Sequence, residues 1–270
     1  MTIAIKAVIL DWAGTMIDHG SRAPVVALLR LFEQAGVPID EAEARTDMGR
    51  AKRDHIRAIL AMPRVKQVWH EAYDAEPTEE DVTRLHDAVG PIMREAARDC
   101  ATLIPGALDL VERLRASGVP IASCTGYTRE MMADILPLAA EQGYAPDVVI
   151  CSGETAEGRP SPLMLWKALV ELGVWPAWAC VKVDDATVGI GEGKAAGSWT
   201  VGVAASGNGV GLTYDELLAL PKDEHRQRVS DSSAALRAAG ADYVIDSVAE
   251  LWPALETIGV RIAAGEWPPA

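Results

Sequence analysis

The chain has 270 residues, of which 49% are apolar and 24% charged, a composition typical of a folded protein with one large domain or two. Its net charge of −14 argues against general nucleic-acid binding, because that function needs basic surface to neutralise phosphates. No apolar run approaches the roughly 20 residues that cross a bilayer and no signal-peptide pattern opens the sequence, so we expect a cytoplasmic protein that binds neither membrane nor nucleic acid.

The predicted elements begin with an apolar strand at residues 5–11 and continue, from about residue 100, as strands that alternate with amphipathic helices. The further strands are predicted at residues 119–125, 147–150, 179–185, 198–203 and 241–246. Short unbroken apolar runs separated by helices indicate a doubly wound parallel sheet with helices on both faces. Several helices end at glycines that suit C-terminal caps, namely Gly118, Gly143, Gly173 and Gly197. The four cysteines are widely spaced, mostly within predicted strands, and are expected to be reduced thiols.

Helical patterns without a convincing strand fill residues 20–98. We therefore predict an α/β protein with a Rossmann-like core of residues 1–19 and 99–270, and a helical cap domain of residues 20–98 inserted after the first strand. The strand ends of a parallel sheet tolerate such insertions and build the active site. Residues 206–240, rich in glycine and charge, are expected to form an excursion near the surface.

Polar side chains end three of the predicted strands: Asp11 ends the first, Thr125 the second, and Asp184 with Asp185 the fourth. A single aspartate at such a place would more often cap a turn. Because the carboxyl ends of parallel strands meet along one crevice, the three strand ends together favour a ligand site.

These residues resemble the haloacid-dehalogenase superfamily, in which an aspartate at the end of the first strand attacks phosphorus and forms an aspartyl-phosphate. A carboxylate is a weak nucleophile, so it needs positioning and a cation that draws charge off the phosphoryl oxygens. By this resemblance Asp11 is the nucleophile. Phosphatases of the superfamily carry a second aspartate two residues later, which protonates an oxygen leaving group, but here that residue is Ala13.

Five segments narrow the resemblance to the phosphonoacetaldehyde hydrolase (phosphonatase) family, and together they extend over nearly the whole chain: DWAGT, DMGRAKRDH, TGYTRE, EGRPSP and VKVDDATVGIGEG. This resemblance implies hydrolysis of the C–P bond of phosphonoacetaldehyde to acetaldehyde and phosphate, in the degradation of 2-aminoethylphosphonate. Carbon is a poor leaving group as a carbanion. If a lysine condenses with the aldehyde, the protonated imine accepts the electrons and the carbon leaves as an enamine.

Helical spacing predicts that Met48, Lys52 and His55 share one face. Four arginines crowd the same stretch, and we expect them to attract a phosphonate and to lower the pKa of the lysine: Arg45, Arg50, Arg53 and Arg57. Spacing alone favours a solvated basic helix face. The resemblance implies instead that Lys52 forms the imine, with Met48 and His55 shaping its surroundings and His55 assisting proton transfer.

The resemblance also implies a phosphate-binding group at the second strand end. Thr125 would hydrogen-bond the phosphoryl group, Gly126 would leave backbone amides accessible, and Thr128 would cap the next helix. Tyr127 would pack over the aldehyde, although a half-buried structural tyrosine fits the pattern equally well. Arg159 would bind the phosphonate, whereas the residues alone fit an exposed turn arginine as well.

A Mg²⁺ site is implied by the loop after the fourth strand, because hard oxygen ligands in a phosphoryl-transfer site suit this ion. The expected ligands are the carboxylates of Asp11 and Asp185 and the backbone carbonyl of Ala13. The family commonly has a further aspartate four residues after the position of Asp185, where this chain has Gly189. Asp184 is the candidate replacement, and the second ligand is left open.

The sequence therefore predicts a hydrolase for a small-molecule phosphonate, and the resemblance adds a homodimer formed through the cap, where Trp69 and Tyr73 look exposed. A phosphatase or phosphomutase of the same superfamily, acting on a P–O bond, is the main alternative, and Ala13 argues against it. A dehalogenase would have no use for Mg²⁺. A non-catalytic phosphometabolite-binding protein would have no need for both Asp11 and Lys52.

Overall fold

A parallel sheet organises the computed structural model, which describes residues 4–48 and 50–269. Six strands form among these residues: β1 (Ala7–Leu10), β2 (Ile121–Thr128), β3 (Val148–Ser152), β4 (Cys180–Asp184), β5 (Trp199–Val203) and β6 (Tyr243–Ile245). Their order is β3-β2-β1-β4-β5-β6, and every neighbouring pair is parallel. The predicted doubly wound α/β fold is thus confirmed, and β1 lies in the middle between β2 and β4.

Twelve α-helices surround the sheet in the part of the chain that the structure describes. They are α1 (Arg22–Gln34), α2 (Glu41–Arg45), α3 (Lys52–Leu60), α4 (Pro63–Tyr73), α5 (Glu79–Asp99), α6 (Ala107–Ala116), α7 (Arg129–Glu141), α8 (Leu163–Leu172), α9 (Thr187–Ala196), α10 (Tyr214–Ala219), α11 (Lys222–Ala238) and α12 (Leu251–Ala263). Helices α1 to α5 follow β1, and no strand forms among them in the described residues. The domain boundaries drawn at residues 20 and 98 remain a prediction.

Both faces of the sheet are covered, which explains why β1 is apolar at every position. Ala7 and Ile9 pack into a cluster with side chains of α8, whereas Val8 and Leu10 pack into a larger cluster that includes residues of α1, α6, α7 and α12. All four β1 residues are fully buried. A strand buried on both sides presents its functional groups only at its end.

The glycines predicted to end helices have the left-handed backbone that this role requires. Their φ angles are 68° at Gly118, 99° at Gly143, 67° at Gly173 and 75° at Gly197. All four cysteines are free thiols, and three of them are buried.

Residues 206–240 lie largely at the surface, as expected, and they contain helices α10 and α11, of which α11 packs on β5 and β6. Its few apolar residues, such as Leu236, make a weak periodic signal. Trp69, which looked exposed, is only 1% exposed and belongs to the main core, while its neighbour Tyr73 is 43% exposed. Within residues 4–48 and 50–269, no helix is both long enough and apolar enough to cross a membrane.

Candidate active site

One cavity lies at the carboxyl ends of β1, β2 and β4, where helix α3 and the turn before it close over the sheet. Nine of the residues predicted for the site line it: Asp11, Ala13, Met48, Lys52, Thr125, Gly126, Tyr127, Arg159 and Asp185. Arg50, from the predicted basic cluster, lines it too. Sequence reasoning missed four further lining residues: Ser21, Pro24, Ala186 and Asn208. Of the predicted residues, His55 and Asp184 do not line the cavity and lie buried behind its wall.

Asp11 lies at the floor of this cavity, held by its backbone and by Arg159. Its N–H donates to the carbonyl of Val183 at 3.0 Å, which fixes the end of β1 beside β4. The guanidinium of Arg159 donates to Asp11 Oδ1 at 2.7 Å and also to the carbonyl of Cys124. Burial raises the pKa of Asp11 to about 6; the neighbouring Asp184 raises it as well, while Arg159 and Lys182 oppose the rise.

Three carboxylates converge at this floor. Asp11, Asp184 and Asp185 each offer an oxygen within 4.8 Å of the others, and all three side chains are buried. Asp185 Oδ2 accepts the backbone N–H of Asn208 at 2.7 Å, and Asp184 Oδ1 accepts that of Ala186 at 3.0 Å. Burial and the other two carboxylates raise the pKa of Asp185 well above its usual range. Crowded, buried, hard oxygen donors fit a divalent cation such as Mg²⁺, whose charge would remove their mutual repulsion.

Gly189, which stands where the family commonly has an aspartate, lies directly against the side chain of Asp184. A Cβ atom built on Gly189 would lie 2.0 Å from Asp184 Cγ, closer than any real contact. The carboxylate of Asp184 therefore fills the volume into which a side chain at position 189 would project. A chain with Asp184 in this place has room only for glycine at 189, so the two positions are coupled.

Thr125 presents a hydroxyl whose proton is available to a ligand. Its Oγ1 accepts the backbone N–H of Tyr127 at 3.1 Å, and this leaves the hydroxyl hydrogen free to point at an anion in the cavity. Tyr127 is 6% exposed, and burial raises the pKa of its phenol well above the ordinary value, so it stays protonated. Thr128 caps α7 by accepting the N–H of Met131, as predicted.

Lys52 begins helix α3 and reaches the cavity as a half-buried side chain. Removal of its amine from water lowers the pKa of Lys52 to about 8. His55, fully buried one turn further along the helix, has a pKa lowered to about 3, first by burial and then by the charge of Lys52. A substantial fraction of Lys52 is therefore neutral near pH 8.

Two expectations for this segment were wrong. Met48 is not on the helix face, because α3 begins only at Lys52. Met48 lines the cavity from the residues before the helix. Gly49, which follows it, lies outside the described residues. The basic cluster also does not explain the pKa of Lys52, for which burial is the cause. Two of its arginines point elsewhere: Arg53 and Arg57 pair with Glu79 of α5, at 3.6 and 2.6 Å.

Arg45, the last residue of α2, joins the helical segment to the loops that follow β1 and β5. Its guanidinium donates to Asn208 Oδ1 at 2.9 Å, to the carbonyl of Gly20 at 3.0 Å and to that of Gly211 at 2.8 Å. Since the N–H of Asn208 holds Asp185, Arg45 is one residue removed from the carboxylate cluster. No motif or periodicity marks this loop, so sequence reasoning had no means of finding the link.

Comparison with known proteins defines the class. The model of the haloacid dehalogenase-like hydrolase family matches residues 5–197, and the chain belongs to that family.

The particular relatives within this class are phosphonoacetaldehyde hydrolases. The enzyme of that name from Paraburkholderia xenovorans strain LB400 is 49% identical over 98% of this chain and 99% of its own, and the one from Hahella chejuensis is 44% identical over 98% and 90%. A crystal structure of a phosphonoacetaldehyde hydrolase-like protein from Oleispira antarctica superposes with a TM-score of 0.96 at 42% identity, over 99% of this chain and 98% of that one. These similarities place the chain in the phosphonoacetaldehyde hydrolase family.

Proposed function

We propose that the protein hydrolyses the C–P bond of phosphonoacetaldehyde to acetaldehyde and phosphate, in the breakdown of 2-aminoethylphosphonate. One observation carries the proposal: a lysine with a depressed pKa and a strand-end carboxylate face the same cavity. Relatives that are 39–49% identical in sequence to this chain are named phosphonoacetaldehyde hydrolase.

Lys52 acts first in the proposed sequence. Its neutral amine attacks the aldehyde carbon of the substrate, and loss of water with uptake of one proton from solvent gives a protonated imine on Nζ. Because the pKa of Lys52 is about 8, the neutral amine is available near neutral pH without a separate base to deprotonate it. His55 has a pKa of about 3, which argues against proton uptake in the free enzyme, so we propose that it packs beside Lys52.

Asp11 then breaks the C–P bond. A carboxylate oxygen attacks phosphorus, and the electron pair of the C–P bond moves into the protonated imine, which becomes an enamine. Water hydrolyses the aspartyl-phosphate and releases phosphate, while protonation and hydrolysis of the enamine release acetaldehyde and return Lys52 as an amine. Ala13 offers no acid, and an enamine leaving group needs none at that position.

The phosphonate is held by the groups around Asp11. Arg159 supplies a guanidinium, Thr125 a hydroxyl whose hydrogen is uncommitted, and Gly126 an unobstructed backbone. Met48 and Tyr127 are the proposed neighbours of the aldehyde end. Each of these side chains touches the cavity that the substrate would enter.

Mg²⁺ is the proposed cofactor, held by the carboxylates of Asp11, Asp184 and Asp185 and by the backbone carbonyl of Ala13. When bound, it would offset the negative charge that gathers as a carboxylate approaches a phosphonate dianion. Asp184 fits the role of second ligand because it occupies the volume left open by Gly189.

Borohydride trapping tests the proposal. Incubation with phosphonoacetaldehyde, Mg²⁺ and borohydride should inactivate the enzyme and attach a two-carbon group to Lys52, detected by peptide mass spectrometry. Lys52→Arg should abolish both trapping and phosphate release, whereas Lys66→Arg, a matched change at an exposed lysine of α4, should leave both intact. Trapping that persists in Lys52→Arg would overturn the imine mechanism.

The same enzyme preparations distinguish C–P hydrolysis from the alternative activity on P–O bonds. A phosphatase would release phosphate from p-nitrophenyl phosphate at a rate that does not depend on Lys52. We expect that rate to be negligible, because residue 13 carries no acid to protonate an oxygen leaving group.

We further propose a cytoplasmic homodimer formed through the helical segment. Only Tyr73 of the two aromatic residues first considered is exposed, and its Oη donates to the carbonyl of Ala35 at 2.6 Å. Light scattering should give twice the 28.8 kDa mass of one chain. A mass of 28.8 kDa at micromolar concentration would refute the dimer and leave the catalytic proposal unaffected.

A further inference from the structure

We infer that Lys182 and Glu192 are positioning residues: their buried ion pair fixes the angle at which Arg159 reaches Asp11 and, with it, the phosphoryl group. The inference rests on the proposed function, in which Arg159 binds the phosphonate. Neither residue lines the cavity, and neither was singled out by its place in the sequence.

Full burial of both charges calls for a reason. Lys182 and Glu192 are 0% exposed, and isolated buried charges cost several kcal/mol each unless partners compensate them. Lys182 Nζ lies 3.1 Å from Glu192 Oε2 and 3.0 Å from Asp184 Oδ2. The pair is therefore continuous with the carboxylate cluster and is not an isolated pair in the core.

Arg159 connects the pair to the cavity. Its Nε lies 3.3 Å from Glu192 Oε2, its Nη1 3.4 Å from Asp184 Oδ2, and its Nη2 2.7 Å from Asp11 Oδ1. Each nitrogen of the planar guanidinium thus faces a different carboxylate. Because the guanidinium is rigid, the contact at Nε sets the direction in which Nη2 points.

Two glycines bring this geometry about. Gly189 and Gly193 are one turn apart on α9, so they form a smooth strip on the face that meets β4. A Cβ at Gly193 would lie 2.9 Å from Lys182 Cβ, and one at Gly189 would collide with Asp184. The helix therefore approaches β4 closely enough for Glu192 to reach both cations.

The net charge of the buried cluster distinguishes a positioning role of Lys182 and Glu192 from a role in charge compensation alone. The buried cluster contains four carboxylates and two cations: Asp11, Asp184, Asp185, Glu192, Arg159 and Lys182. The excess of two negative charges equals the charge of one divalent cation. Removing Lys182 and Glu192 together leaves that excess unchanged, and it deletes the contact of Lys182 with Asp184 as well as that of Glu192 with Arg159 Nε, so two variants that both lack Lys182 have to be compared.

Two double variants isolate this contact. Lys182→Met with Glu192→Gln keeps a side-chain oxygen beside Arg159 Nε, whereas Lys182→Met with Glu192→Leu removes it, and both carry the same net charge. Calorimetry with inorganic phosphate in saturating Mg²⁺ should show about tenfold weaker binding for the Leu variant than for the Gln variant. Mg²⁺ affinity and melting temperature should be equal in the two.

Equal phosphate affinities in the two double variants would overturn the inference. Arg159→Ala distinguishes failure of this inference from failure of the proposed function. If this variant binds phosphate as well as the wild type does, the assignment of Arg159 to the phosphonate in the proposed function is wrong as well. Where the double variants do not fold, Glu192→Asp keeps the charge but shortens the side chain by one methylene. It should weaken phosphate binding several-fold at unchanged Mg²⁺ affinity, and unaltered phosphate binding would again overturn the inference.

Discussion

Replacing Gly189 by alanine should weaken Mg²⁺ binding and destabilise the fold. This result is expected even though the change adds only a methyl group and alanine favours helices. The new Cβ would lie 2.0 Å from Asp184 Cγ, so the carboxylate has to turn away. Asp184 is held there by Lys182 at 3.0 Å and by the N–H of Ala186 at 3.0 Å. The substitution therefore breaks a buried ion pair and removes one of three converging carboxylates.

The expected magnitude follows from two opposing effects. Alanine is preferred over glycine inside a helix by about 1 kcal/mol, which would stabilise α9. Breaking a buried ion pair costs roughly 3–5 kcal/mol. The free energy of unfolding should thus fall by about 2–4 kcal/mol, and the melting temperature by roughly 5–10 °C. We expect Mg²⁺ affinity, measured by calorimetry, to fall at least about tenfold, as the loss of a charged ligand predicts.

A double-mutant cycle supplies the control. In an Asp184→Ala background the obstructing carboxylate is absent, so Gly189→Ala should raise stability by up to about 1 kcal/mol instead of lowering it. The sign of the effect at position 189 therefore depends on the residue at 184. Destabilisation by Gly189→Ala of equal size in both backgrounds, or unchanged Mg²⁺ affinity in the single variant, would refute the coupling.

Three further predictions concern the cavity and its supports. The rate of borohydride-trappable imine formation should rise about tenfold per pH unit from pH 6 to 7 and level off above pH 8, because only neutral Lys52 reacts and its pKa is about 8; a flat profile measured by mass spectrometry would contradict this. Trp69→Ala should lower the free energy of unfolding by about 3–5 kcal/mol in urea titrations, since the ring is buried, and a loss below about 1 kcal/mol would show that it is not core. Arg45→Gln should speed amide hydrogen exchange in residues 206–211, because it removes the bonds to Asn208 and Gly211; exchange equal to that of the wild type would show that the loop is held by other contacts.

The fold was predictable because its signal is local. Each strand of the sheet is a short apolar run, and in β1 burial on both faces requires an unbroken one. Helix α11 was missed for the converse reason: it is long and mostly polar, and it packs on β5 and β6 through a few side chains such as Leu236. Its helical state depends on a sheet that no local pattern reveals.

The cavity lining was also largely predictable, because parallel strands end together and family motifs mark their ends. Asp11, Thr125 and Asp185 lie where the strand ends put them. Residues that act through their backbone or from behind left no signal. Asn208 contributes an N–H that any residue but proline has. Glu192 lies in the segment VKVDDATVGIGEG, but nothing in that segment shows that its carboxylate is buried against Arg159.

The pKa values of two lysines favour the proposed reactive amine in the helical segment over one in the sheet. Burial by itself acts to lower the pKa of each of these lysines, Lys52 and Lys182. At Lys182 the carboxylates of Glu192 and Asp184 outweigh burial and Arg159, and the pKa ends above its usual range, so that amine stays charged. At Lys52 burial acts without an opposing carboxylate, and the pKa falls to about 8. A lysine on the floor beside Asp11 would meet the carboxylates needed for phosphorus and Mg²⁺ and would remain protonated. Lys52 comes from the helical segment that follows β1, whereas the carboxylates stand at the ends of β1 and β4, so burial lowers the pKa of the amine and no carboxylate among the described residues opposes the shift.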